Sequence, residues 1–196
     1  MSDTAHVSES AATPTATAAV GGFLLHRWPT AVALALAGLS LADGVSRTGA
    51  AIATLMGALA YLVAAAVDWR RAAWIVVPAG FVAVVALRLL EIDPLIGSVV
   101  VGAGFFAWGA WRGRLRTAYP LLVCGIALTG FAAVSIGGVR MASEIGLYLV
   151  AAALLGHGIW DVIHHWANRV VDRSLAEFCL VLDFVLGFAV LAAALT

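Results

Sequence analysis

The sequence predicts an all-α fold: a polytopic integral membrane bundle of seven transmembrane helices. Of the 196 residues, 63% are hydrophobic and 11% are charged, whereas a soluble domain carries roughly 25% charged residues. The mean hydropathy is +1.04. Apolar runs close to the roughly 20 residues that cross a bilayer core recur from Pro29 to the C-terminus. Lipid, rather than water alone, is therefore the expected solvent.

The N-terminal region differs from the rest of the chain. Residues 1–20 are Ser, Thr, Ala and Pro with little apolar periodicity, and such a segment cannot bury enough surface to offset the entropy lost on ordering. We expect a disordered tail over residues 1–20 and a single transmembrane domain over residues 21–196. The tail contains no Arg or Lys, which argues against a targeting presequence.

Seven apolar segments follow the tail, and their short linkers require consecutive spans to pack as antiparallel neighbours. Pro78 is expected to bend the third segment. Asp93 and Pro94 are expected to supply the N-cap and first residue of the fourth. Ser174 and Glu177 have the spacing of a capping box at the start of the seventh. The predicted helices cover about residues 23 or 29–42, 49–67, 72–90, 95–111, 117–138, 145–171 and 174–196.

The first segment has an alternative interpretation. Its apolar run is short, and Ala-Leu-Ala-Gly at residues 35–38 resembles a signal-peptidase site. Cleavage there would leave six spans. We favour an uncleaved first helix because a long polar tail precedes it.

The arginines predict the orientation in the membrane. All eleven basic residues are arginine, and cytoplasmic loops are enriched in basic residues. With seven spans, most of them fall on the side of the N-terminus. We therefore expect an inner (plasma) membrane protein with its N-terminus in the cytoplasm and its C-terminus outside. The N-terminal side holds Arg27, Arg70, Arg71, Arg112, Arg114, Arg116, Arg169 and Arg173, and the other side holds Arg47, Arg88 and Arg140.

Composition also restricts the partners. The formal net charge is zero, which argues against a nucleic-acid partner. Cys124 and Cys179 both lie in apolar runs, so a disulfide framework is not indicated. The expected partner is the lipid bilayer, together with a lipid or other apolar small molecule.

A polar stripe on the sixth segment is the main functional signal. At about 100° per residue, its polar side chains fall within an arc of about 100° on one helix face. An ionisable group facing lipid near the bilayer centre costs about 2.5 kcal/mol or more, so this face is expected to line a polar cavity open to the cytoplasm. The stripe comprises His157, Asp161, His164, His165, Asn168 and Asp172.

The seventh segment is expected to contribute to the same site. If Arg169 marks the cytoplasmic interface, His157 lies roughly 18 Å from it along the helix axis. Asp183 lies at a similar depth on the next helix. The two side chains are therefore expected to meet across the hairpin. Gly156 and Gly158 leave room beside the imidazole for a neighbour, a water or a ligand. The further candidates for lining the cavity are Cys179, Asn168 and Trp160, and the hydroxyls of Thr54, Tyr61 and Thr129 could also line it.

Imidazole and carboxylate groups at this spacing indicate a metal site, with zinc or iron as the cofactor. A bound metal would activate water, or dioxygen if the metal is iron. Our preferred hypothesis is a metal-dependent membrane enzyme acting on a lipid or apolar substrate, without assigned catalytic residues. The predicted ligands are His157, Asp161, His164, His165 and Asp183.

Three alternatives remain open. The stripe can serve as a proton or ion relay, although the sixth segment offers only Tyr148 between His157 and Glu144. Haem ligation by His157 would need a second histidine from His6 or His26. The third alternative is a non-enzymatic protein, with a transport or interaction role, in which the stripe is a buried hydrogen-bond network that sets the helix register.

The C-terminal polar pattern carries a resemblance. It consists of His157, Trp160, Asp161, His164, His165, Ser174, Cys179 and Asp183. Over roughly residues 157–196 it resembles a family of small bacterial multi-pass membrane proteins of unknown function. It is more loosely similar to the seven-helix zinc hydrolases of the adiponectin-receptor and alkaline-ceramidase group, which implies lipid amidase activity. That group places one histidine on an early helix and a His-x3-His pair on the last, whereas here the histidines lie on the sixth segment.

Overall fold

The computed structural model describes residues 27–42, 44–117 and 119–196, without the side chains of residues 116, 117 and 119. Regular secondary structure in these ranges is entirely helical. The predicted tail, His6 and His26 lie outside the described residues. The helices are α1 (Trp28–Ala42), α2 (Arg47–Val67), α3 (Ala72–Leu89), α4 (Pro94–Trp111), a single turn (Arg114–Thr117), α5 (Tyr119–Arg140), α6 (Glu144–Ala167) and α7 (Arg173–Ala194).

A helical membrane bundle is confirmed by length and composition. Within the described ranges, six helices, α2 to α7, are long and apolar enough to cross a membrane. The helix α1 is also apolar but spans only 15 residues. The seventh span therefore remains a prediction.

The helix α2 forms the centre of the bundle. It packs against α3, α4, α5, α6 and α7, while α1 packs on α7. In its most apolar stretch 78% of the residues are buried, against 11% for α3. Its sequence is rich in alanine and also contains Gly49 and Gly57. Small side chains allow close helix approach in lipid, where no hydrophobic force draws helices together, and so α2 accommodates five neighbours.

Local chemistry explains where α4 begins and where α6 ends. The carboxylate of Asp93 accepts a hydrogen bond of 2.9 Å from the Leu95 amide, and Pro94 occupies the first turn of α4, as predicted. The predicted extension of the sixth helix to about residue 171 is wrong. Asn168 is left-handed, with φ of 50°, and ends α6 at Ala167. Arg70 donates to the side chain of Asn168 and to the Val171 carbonyl, which fixes this turn.

The predicted capping box on the seventh helix is also wrong. The helix begins one residue earlier, at Arg173, with Asp172 as its N-cap residue. Ser174 Oγ accepts a hydrogen bond of 3.1 Å from Trp74 Nε1. Glu177 accepts hydrogen bonds from Thr30 and Arg27. These partners on other helices replace the local capping contacts, and Glu177 thereby anchors α1 to α7.

The helices α5 and α6 touch backbone to backbone near Arg140 and Glu144, where they are joined. A Cβ built on Gly146 would overlap the Gly138 carbonyl oxygen, and one built on Gly138 would lie 2.7 Å from the Gly146 carbonyl oxygen. Glycine at both positions therefore permits this crossing.

We predict that Gly146→Ala lowers the free energy of unfolding by about 1–3 kcal/mol, the usual cost of overpacking a close contact. The measurement is thermal unfolding of the protein in one detergent. Gly130→Ala is the matched control on α5, since a Cβ there meets no atom within 4 Å. Equal effects of the two substitutions would contradict the proposed contact.

Candidate metal centre

The candidate site lies near the middle of the bundle. Along α6, His157 is about 20 Å from Glu144 and about 15 Å from Ala167 at 1.5 Å per residue. Asp183 lies halfway along α7. The exposed fraction is 0% for His157 and Asp161 and 2% for Asp183. The predicted open polar cavity is therefore replaced by direct contact between enclosed side chains.

Two hydrogen bonds join three helices at this point. The His157 Nδ1 atom lies 2.6 Å from Asp183 Oδ2, which links α6 to α7. The Tyr61 hydroxyl of α2 donates a hydrogen bond of 2.7 Å to Asp161 Oδ1. Asp161 Oδ2 lies 3.2 Å from His157 Nδ1. The expected meeting of His157 and Asp183 is present, and the site includes a tyrosine from the central helix.

Among the residues that the structure describes, two buried polar atoms of the site have no hydrogen-bond partner. They are His157 Nε2 and Asp161 Oδ2, and the short distance from the latter to His157 Nδ1 does not have hydrogen-bond geometry. An unsatisfied buried polar atom costs about 1–3 kcal/mol. The site thus contains polar atoms that could bind a ligand and that its own side chains do not pair.

The space beside the imidazole is tightly restricted. A Cβ built on Gly57 of α2 would lie 2.5 Å from His157 Cε1 and 3.1 Å from its Nε2. The Phe131 ring of α5 meets the imidazole edge to face, with 5.1 Å between ring centroids. Glycine at position 57 is therefore needed for the imidazole to reach its present position against α2.

The charges of the three titratable groups do not balance. One imidazolium can neutralise one carboxylate, but His157 faces both Asp161 and Asp183. An uncompensated charge in an apolar interior is strongly unfavourable. The two carboxylates therefore carry one negative charge more than His157 alone can neutralise.

The same three residues can hold a metal ion. One potential ligand atom from each of His157, Asp161 and Asp183 lies within 4.8 Å of the other two. Imidazole nitrogen and carboxylate oxygen both bind zinc and iron. The hydrogen bond from Tyr61 leaves Asp161 Oδ2 as the carboxylate oxygen without a hydrogen-bond partner.

The two other histidines on α6 lie outside this group. His164 Nδ1 is 2.8 Å from the Trp160 carbonyl oxygen, and His165 Nδ1 is 3.1 Å from the Arg173 carbonyl oxygen. They follow His157 by two helical turns, which is roughly 10 Å along the axis. This axial distance keeps them from sharing an ion with His157.

The remaining candidates surround the site without joining it. Asn168 is exposed and forms the C-cap of α6. Cys179 is buried in the hydrophobic core one turn from Asp183. Trp160 is partly buried and lies beside Tyr61 and His164, with ring centroids 6.1 Å and 4.4 Å apart, respectively. Gly156 and Gly158 accommodate Phe131 and Phe184, so the room beside His157 is taken by neighbouring side chains.

Sequence reasoning did not pair Tyr61 with Asp161 and did not identify Gly57. Gly57 and Tyr61 lie four residues apart on α2 and therefore on one face of that helix. A tyrosine within an alanine-rich and glycine-rich span was the available signal. A buried phenolic hydroxyl requires a partner, but the sequence alone did not identify that partner.

We predict that Tyr61→Phe lowers the free energy of unfolding by about 1–3 kcal/mol because Asp161 Oδ1 loses its buried donor. Thermal unfolding in detergent provides the measurement. Tyr148→Phe is the matched control, because the Tyr148 hydroxyl donates to the Ala194 carbonyl at a position that is 39% exposed. An equal loss in the control would show that the Tyr61 hydroxyl has no special importance.

No protein-family model, curated protein or solved structure matches this chain. The candidate site is therefore supported by the geometry of its own residues. The resemblances drawn from the C-terminal pattern stay predictions.

Proposed function

We propose that this chain is an integral membrane metalloprotein that binds zinc or iron through His157, Asp161 and Asp183. The main support for this proposal is that two buried carboxylates face a single imidazole inside an apolar bundle. A divalent cation would supply the missing positive charge. It would also bind Asp161 Oδ2, which lies 3.2 Å from His157 Nδ1 and has no hydrogen-bond partner among the described residues.

The donor set favours zinc or iron over magnesium or calcium. Magnesium and calcium prefer oxygen ligands alone, whereas a site with one imidazole and two carboxylates suits the transition metals. Tyr61 would act as a positioning residue, since its hydrogen bond to Asp161 Oδ1 fixes the carboxylate that would bind the ion.

The described residues supply three protein ligands, and this number favours catalysis over a purely structural metal. Structural zinc sites have four protein ligands, and catalytic sites have three plus an open position. When bound, the ion would activate water for hydrolysis or, in the case of iron, dioxygen. The apolar surroundings favour a lipid or other apolar substrate.

The proposal includes an orientation in the inner (plasma) membrane. Arginines cluster at the end of the bundle where α2, α4 and α6 finish, which we name the arginine-rich end; its described members include Arg70, Arg71, Arg114 and Arg169. The positive-inside rule favours a cytoplasmic position for this end. The N-terminus would then be cytoplasmic and the C-terminus outside.

A non-enzymatic membrane protein is the second candidate. The bonds from His157 to Asp183 and from Tyr61 to Asp161 tie three helices together without any ligand. A network of this kind fixes helix register in transport or interaction proteins as well. Proton relay by the same residues belongs to this class. In it, one carboxylate would carry a proton instead of facing a metal.

We predict that protein purified without chelators contains zinc or iron at one ion per chain, measured by elemental mass spectrometry. His157→Ala and Asp183→Ala remove ligands and should each abolish binding. His165→Ala is the matched control and should retain the ion, since its imidazole bonds to the Arg173 carbonyl away from the site.

The outcome separates the two candidates. Metal lost in the two ligand variants and kept in the control supports the metalloprotein. Metal-free wild-type protein that also binds no added zinc or iron, with both ligand variants folded but less stable, supports the structural network.

A further inference from the structure

The seam between α5 and α6 separates the enclosed site from the membrane. Near Arg140 and Glu144 the two backbones touch at Gly138 and Gly146. Further toward the arginine-rich end, the side chain of Phe131 is partly buried and packs against the core. At this point the seam is therefore closed by an aromatic ring over Gly156, and not by contact between backbones.

Phe131 directly covers the site. Its ring lies edge to face with His157, and its Cε1 atom would be 3.6 Å from a Cβ on Gly156. Among the described residues, no other atom of a neighbouring helix lies within 4 Å of that Cβ position. Phe131 is partly exposed, whereas His157 has no exposure. One side chain thus contacts the imidazole and also reaches the outer surface of the bundle.

Other directions of approach are covered by neighbouring helices. Toward the arginine-rich end, Tyr61 and His164 cover the site, and Arg70 binds Asn168 and the Val171 carbonyl beyond them. On the side of α7, the helices α6 and α7 pack along most of their length, with Leu155 against Gly187. The side of α2 is occupied by Gly57 in contact with the imidazole.

We propose that the site opens laterally to the bilayer through the α5–α6 seam when the Phe131 side chain changes rotamer. A ligand that arrives by this route is dissolved in the hydrocarbon, so its class is a lipid or another apolar molecule. The class of substrate rests on the proposed function. The route itself is a property of the metal-free protein and can be tested without a metal. A rotamer change of one side chain moves the ring without breaking a hydrogen bond of the site.

Carbodiimides test the route without requiring a metal. Metal-free wild-type protein in lipid nanodiscs is treated with dicyclohexylcarbodiimide, which partitions into lipid, or with a water-soluble carbodiimide. Adducts on Asp161 and Asp183 are quantified by peptide mass spectrometry. The lipid-soluble reagent should label these carboxyl groups, and the water-soluble reagent should leave them unmodified.

Two variants at the seam and one matched control sharpen the result. Phe131→Ala should raise labelling by the lipid-soluble reagent about tenfold, since it increases the population of the open seam. Phe131→Trp should lower it. Phe184→Ala removes an equal ring that packs over Gly158 on the other flank, and should leave the labelling rate unchanged. Circular dichroism and gel filtration establish that each variant is folded.

Three results would overturn the lateral route: equal acceleration by Phe131→Ala and Phe184→Ala, equal labelling by the two reagents, or no adduct in Phe131→Ala. A separate arm reports on the metal. Protection from labelling by added zinc supports the metal site. If labelling depends on Phe131 but added zinc does not reduce it, the lateral route is supported and the metal site is contradicted.

Discussion

The hydrogen bond between His157 and Asp183 is the interaction on which the arrangement of the bundle centre depends. It joins α6 to α7 at 2.6 Å, with both side chains enclosed. A hydrogen bond to a charged group strengthens when water is excluded, and losing one partner then leaves the other uncompensated. The pair therefore favours one relative depth of the two helices, in addition to their Ala, Leu and Val contacts.

The central helix converts this pairing into a site. Gly57 admits the imidazole against the α2 backbone, and one turn later Tyr61 donates to Asp161. A larger residue at position 57 would push His157 away from α2. The loss of the phenol would leave one carboxylate oxygen unpaired. The small residues that let α2 contact five helices thus also let it approach the site closely.

Hydropathy predicted the six long spans because a bilayer permits few alternatives to apolar helices of this length. The inward orientation of His157 and Asp161 and the meeting of His157 with Asp183 followed from helical periodicity and from equal depth on adjacent helices. These two inferences needed only local geometry. The 15-residue α1 is shorter than the other apolar helices, and the sequence does not establish that it spans the membrane.

Contacts between distant segments were harder to predict. Glu177 bonds to Thr30 and Arg27 instead of capping its own helix, because these partners are supplied by α1. The extra predicted ligands His164 and His165 share the stripe but lie two turns further along it. A helical wheel shows only the angle of each residue around the helix, and so it does not show the axial distance that separates these two histidines from His157. The pairing of Tyr61 with Asp161 depends on how α2 is placed, which local sequence does not specify.

The most direct test of the central claim is X-ray absorption spectroscopy of the zinc-loaded protein. The three-residue site requires one imidazole nitrogen and carboxylate oxygens at about 2.0–2.2 Å from the metal, with no sulfur. The predicted spectrum therefore shows a single-histidine signature in an oxygen-rich shell. A shell with two or more imidazoles, or with sulfur from Cys179, would contradict the assignment of His157, Asp161 and Asp183 as the ligands.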